Sequence, residues 1–135
     1  MDQKDERTWG TLVHLAGIVG ISIIPRVGNV IAVLILWILK RNESKWYDEQ
    51  GKEAINFQIT ISIVLVGLNV ISSIRDGFWE LGSMWWSHGF TIFHWRNSGL
   101  EGIIMVVNII FSIVAAIKAS KGESYKYPLS LRLVK

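Results

Sequence analysis

The sequence predicts an all-α integral membrane protein with four short transmembrane helices, the first two folded as a tight hairpin and both termini cytoplasmic. Three observations predict it. Half of the 135 residues are apolar, only 19% are charged and mean hydropathy is +0.36, values that suit several membrane spans better than a water-soluble globule. The apolar residues form blocks separated by short polar connections. Lysine and arginine are divided unevenly among those connections, and this asymmetry sets membrane orientation.

The length allows a single domain, 1–135. It holds helices at about 9–24, 27–40, 48–74 and 100–119, an aromatic outer loop at 75–99 and a basic tail at 120–135. The chain has no cysteine, which excludes disulfides, thiol catalysis and cysteine-ligated metal. A net charge of +3, split among segments, does not suit nucleic acid as a partner.

Residues 1–8 carry Asp2, Lys4, Asp5, Glu6 and Arg7. That is the wrong start for a cleaved signal peptide. The apolar segments 9–24 and 27–39 are separated by Pro25-Arg26. Read as one helix they would run about 46 Å, well beyond a hydrocarbon core of about 30 Å, with Arg26 near mid-membrane. A hairpin avoids both problems: Pro25 stops the first helix and Gly28-Asn29 begins the second. Its arms are short, so it either just spans or is re-entrant; a bent single span is the alternative. Gly10, His14, Gly17 and Ile21 share one face of the first arm. Gly28 and Ala32 form a small-xxx-small pair on the second.

The connection at 40–51 is polar, and its Trp46 and Tyr47 suit a membrane–water interface. Ser44 or Asp48 is placed to cap the helix that follows. That helix contains Lys52, Glu53, Asn56, Phe57 and Gln58, then a long uncharged run. Gln58, Ser62, Asn69 and Ser73 lie on one stripe, and amides facing lipid are costly, so the stripe should face protein. The stretch 75–99 carries Phe78, Trp79, Trp85, Trp86, Phe90, Phe93 and Trp95, as an interfacial belt would. Its His88 and His94 are not at a zinc spacing. The last span aligns Asn108, Ser112, Ala115 and Ala119 on one face. Asn69 and Asn108 are expected at similar depth, with the two stripes packed together. The tail, with Tyr125, Tyr127 and Pro128 as an anchor and alternating Leu129, Leu131 and Leu133, is expected on the membrane surface. Eleven lysines and arginines fall on the side of the termini and the 40–52 connection, against Arg26, Arg75 and Arg96 on the other.

Several pieces, in order, resemble a family of small bacterial membrane proteins of unknown function related to the twenty-kilodalton subunit of the chloroplast inner-envelope protein translocon. They are Trp9 with His14; Pro25 with Gly28-Asn29; Trp37 with Lys40; the run from Gly51 through Lys52, Glu53, Asn56 and Phe57 to Gln58; the run from Ala115 to Ala119; and Gly122-Glu123 with Tyr125, Tyr127 and Pro128. The resemblance implies a four-helix membrane fold and a role linked to protein translocation or insertion. The sequence departs from that pattern at Val33, where a proline is expected, and in the long aromatic connection.

For each polar candidate a structural role competes with a chemical one. His14 can relay protons or bond a neighbouring helix. Lys52 and Glu53 can couple transport or sit exposed at a helix entrance. Asn56, Gln58, Asn69 and Asn108 can line a path or tie helices together. The structural role explains each. No nucleophile–base set or phosphate-cradling loop is visible, so no enzyme and no cofactor is expected. The expected function is a non-enzymatic membrane interaction or assembly subunit, possible links being protein translocation or insertion or envelope stress. It would sit in the lipid bilayer of a bacterial plasma membrane with a membrane-protein partner or a second copy. A component of a small oligomeric transporter or channel is the alternative.

Overall fold

The computed structural model describes residues 1–76 and 98–135. The aromatic stretch with its tryptophans, His88 and His94 lies outside the described residues, as does the side chain of Ser73. Among the described residues there are four helices: α1 (Gln3–Ile23), α2 (Gly28–Lys40), α3 (Lys45–Asp76) and α4 (Ser98–Ser120). Among the described residues there is no strand.

α1 begins six residues before the apolar block. Asp2 caps it, accepting from the Asp5 N–H at 2.8 Å, and Asp5 and Glu6 suit the positive end of the helix dipole. The turn after it places Arg26 at φ 73°, a left-handed conformation that a non-glycine residue rarely adopts. Two bonds hold it there. The Ser62 hydroxyl donates to the Arg26 carbonyl at 2.6 Å, and the Arg26 guanidinium donates to Asn69 Oδ1 at 2.8 Å. α2 then returns against α1. Gly20 and Gly28 meet backbone to backbone, and a Cβ on either would collide with the other's carbonyl.

Ser44 caps α3, its hydroxyl accepting from the Tyr47 N–H at 3.1 Å and donating to Glu6 at 2.5 Å. Trp37 of α2 lies over Gly51 of α3, and its indole donates to Asp48 at 2.8 Å. α1 touches all three other helices, whereas α2 and α4 do not meet. The N-terminus, the α2–α3 connection and the start of the tail therefore gather at one end. Lys40 lies 5.6 Å from the Trp9 ring, and the Trp46 indole donates to Ser124 at 3.0 Å.

Four short transmembrane helices were expected, the first two just spanning or re-entrant, and the structure corrects the number of spans. Two helices are long and apolar enough to cross a membrane, over Lys45–Ile71 and Gly99–Ser120. α2, with 13 residues, is only about 20 Å long. The hairpin turn sits at the level of Ser62, while α3 continues to Asp76, about 21 Å further. α1 and α2 thus stop well short of the far end of α3 and α4.

α4 ends where Gly122 (φ 78°) lets the chain reverse. The tail then folds back on the bundle, tied to α3 through the Tyr125 and Tyr127 N–H groups. Tyr127 is buried and stacks on Phe57 at 4.1 Å between ring centroids.

Candidate functional site

The groups with the most chemistry lie in a polar seam along the inside of the bundle. Among the described residues ten polar ones are buried, including His14, Asn29, Gln50, Asn56, Gln58, Ser62, Asn69, Asn108 and Ser112. Each side chain of the seam is carried inward by the helical repeat of its own element, and apolar neighbours on either side exclude water.

The lowest tier joins α1, α3 and the tail. Burial pushes the Tyr127 phenol above its ordinary value, so it stays protonated and donates to His14 Nδ1 at 3.0 Å. That fixes the tautomer: His14 Nε2–H donates to Gln50 Oε1 at 3.2 Å. The same oxygen accepts the Tyr125 N–H at 3.0 Å.

The middle tier joins all four helices. Asn29 donates to the Gln58 side-chain oxygen at 2.9 Å and to its backbone carbonyl at 3.1 Å. Gln58 Nε2 donates to Asn108 Oδ1 at 2.9 Å, and Ser112 donates to the same oxygen at 3.2 Å. Gly17 makes room for the Gln58 amide, which a Cβ there would strike. Among the described residues, Asn108 Nδ2 is a buried donor without a partner.

The upper tier links the hairpin turn to α3 and α4. Asn69 accepts from Arg26 and donates to Glu101 at 3.1 Å. Sequence depth placed Asn69 opposite Asn108. Instead Gln58 faces Asn108, and Asn69 faces Glu101, because α3 and α4 overlap in a register that depth counting did not reveal.

A second stripe on α3 was not recognised as such in the sequence. Gln50, Glu53, Asn56 and Thr60 all accept hydrogen bonds from the backbone of the tail. Glu53 takes the Tyr127 N–H at 3.3 Å and Thr60 the Leu131 N–H at 2.8 Å. Asn56 accepts from Leu133 and Val134 and donates to the Val134 carbonyl at 2.9 Å. Spacings of three, three and four marked one helical face, but an extended partner has no helical period to match it with. Lys52 and Glu53 do not form a joint site: Lys52 pairs with Asp48 at 2.5 Å, while Glu53 serves the tail. Pro25 occupies the hairpin turn, and Pro128 is exposed.

The asparagine, glutamine and serine side chains of the seam are neutral donors and acceptors that tie the helices to one another. Among the described residues, no group of three or more His, Asp or Glu is arranged to hold a metal ion.

Comparison with known families decides the lineage: the model of the magnetosome magnetite crystal formation protein family matches residues 5–134. The chain belongs to this MamF/MmsF family. Among curated proteins and among solved structures nothing matches. The resemblance to relatives of the chloroplast translocon subunit is thereby overturned. The residues that carried it explain why it misled. Gly51 seats Trp37, Gln58 ties four helices, Ala115 and Ala119 are fully buried, and Tyr127 locks the tail. They report how a bundle of this build is packed, and packing requirements do not identify a lineage.

Proposed function

We propose that this MamF/MmsF member is an integral subunit of the magnetosome membrane, serving magnetite crystal formation as a structural and interaction component without catalysis of its own. The observation that carries the reading is the inverted polarity of the bundle. Its amides are inside, while Ile31, Ile35, Ile38, Ile63, Ile71, Ile103, Ile110, Ile113 and Ile117 are exposed. In water an apolar surface of that extent would drive association. In a bilayer it costs nothing, and polar groups must find partners within the protein. α4, at 23 residues, is about 34 Å long and matches a hydrocarbon core of about 30 Å. α3 crosses beside it, and the shorter α1–α2 hairpin enters from the charged end without reaching the other side.

The seam gives this subunit a fixed shape from which to present its far end to partners. Its neutral amides, paired with one another, supply rigidity and no reaction step. The test uses magnetosomes isolated from magnetite-forming cells. The chain should stay with the membrane through an alkaline carbonate wash, and cells lacking it should form crystals of altered size or number. Release by carbonate, or unaltered crystals in its absence, would overturn the reading.

A further inference from the structure

Among the described residues, the tail is the one extended segment that the bundle binds along its length, and its outward face has a composition of its own. The Tyr125, Tyr127, Leu131, Leu133 and Val134 N–H groups are all accepted by α3 side chains. Leu129, Leu131 and Leu133 point away, at 63%, 49% and 61% exposure. Thr60, which holds Leu131, lies seven residues beyond Glu53, about 10 Å along the helix. Lys52 and Glu53 are the last charges of α3 before its apolar run. The three leucines thus lie within the depth, about 5–10 Å, at which interfacial segments bury their apolar face. An extended backbone at that depth needs partners within the protein, and α3 supplies them to the five N–H groups just named and to the Val134 carbonyl, while Ser130 Oγ is buried without a partner among the described residues.

The charges beside the leucines are of one sign. Between residues 118 and 135 stand Lys118, Lys121, Lys126, Arg132 and Lys135 against Glu123 alone. Glu123 pairs with Lys118 at 3.2 Å, and Arg132 stands 3.9 Å from Glu53. Lys126 and Lys135 make no ion pair among the described residues. We propose that the tail is a strap that binds anionic lipid headgroups at the charged end of the bundle, with Leu129, Leu131 and Leu133 seated among the acyl chains and Lys126 and Lys135 on the headgroups. This rests on the reading that α3 and α4 cross a membrane. A second copy is disfavoured as the occupant because two straps would bring like charges together, whereas the leucines continue the exposed apolar face of α3 at Ile63 and Val64.

The experiment exploits the absence of cysteine. Leu131→Cys is labelled with an environment-sensitive nitrobenzoxadiazole dye, and the full chain is placed in mixed phosphatidylcholine–phosphatidylglycerol vesicles. Emission should be blue-shifted. Nitroxide-labelled phosphatidylglycerol should quench it more strongly than equally labelled phosphatidylcholine, since each lysine near an anionic surface is worth about five-fold. Lys126→Gln with Lys135→Gln, which leaves the Arg132–Glu53 contact intact, should bring the two lipids to parity while keeping the blue shift. Water-like emission, or equal quenching by both lipids in the native charge pattern, would overturn the strap. So would a blue shift that follows protein-to-lipid ratio instead of lipid charge, which would mean a second copy. A carbonate wash of the same vesicles separates the two proposals: release refutes the membrane reading itself, whereas retention with water-like emission refutes only the strap.

Discussion

The two ends of the bundle are built on opposite principles. At the charged end, α1, α2, α3, α4 and the tail crowd together, and Tyr47, Phe57, Val13 and Val33 have no exposed surface. Among the described residues, only α3 and α4 continue to the far end, with Val70, Ile71, Ile74, Leu100 and Ile103 exposed. Glycine reads the difference directly. Gly17, Gly20, Gly28 and Gly51 leave no room for a Cβ, whereas Gly67 and Gly99 face open space. The hydrogen bonds follow the same division. Polar side chains are frequent where five segments can partner them, and the far end keeps Asn69 and Glu101 joined to each other and to the hairpin turn. Among the described residues, buried polar side chains thus sit where neighbouring segments can partner them.

The sharpest way to break the comparison is a bulky residue at a tightly packed glycine and another at an open one. Gly20→Leu pushes a side chain into the Gly28 backbone, which cannot yield as a flexible side chain would. It should cost about 3 kcal/mol or more, seen as early thermal unfolding by circular dichroism in detergent. Gly67→Leu should cost nothing measurable in the same assay. Equal losses at the two sites would refute the division.

Removing the central amide should come next in size. Gln58→Leu leaves Asn29 Nδ2 and Asn108 Oδ1 short of a partner and should cost about 1–3 kcal/mol by the same melt. A neutral result would mean that the seam contributes shape without stability.

Tyr127→Phe keeps the stack on Phe57 but removes the bond to His14. A loss of about 1 kcal/mol is expected. Asn56→Leu should leave the melt closer to native and free the end of the tail, so that amide exchange at Leu133 and Val134 rises while exchange in α1 does not. If α1 loosens as well, the tail is part of the core and not a strap on it.

The smallest effect should be a gain. Gly67→Ala fills open space on a helix interior and should stabilise by about 0.5–1 kcal/mol, read as a slightly higher melting temperature.

Much of the internal face was legible in the sequence. Period-3.6 spacing put Gln58, Ser62 and Asn69 on one side of α3 and Asn108 and Ser112 on one side of α4, and all five side chains are buried. Gly28 was marked for close helix approach, and it meets Gly20, which was not named, while the marked Gly10 and Gly17 meet Trp46 and Gln58. The partners were not legible, because spacing within a helix says nothing of axial offset between helices. Asn69 was matched by depth to Asn108 and instead meets Glu101. The family was not legible either; it was decided by the match of the family model over residues 5–134.

The amino-acid sequence alone determined helical content, the inward polar stripes and the collection of positive charge at one end, because each depends on local spacing and composition. Tertiary structure alone decided three things. α1 and α2 stop short of the far end because the turn is held at Ser62 and Asn69. Gln58 is the shared partner of α2 and α4 because Gly17 leaves it space. The tail lies along Gln50, Glu53, Asn56 and Thr60 because an extended backbone has donors to place, and that face of α3 carries the acceptors. In each case the deciding contact joins residues far apart in the chain, and neither partner's local sequence contains the other.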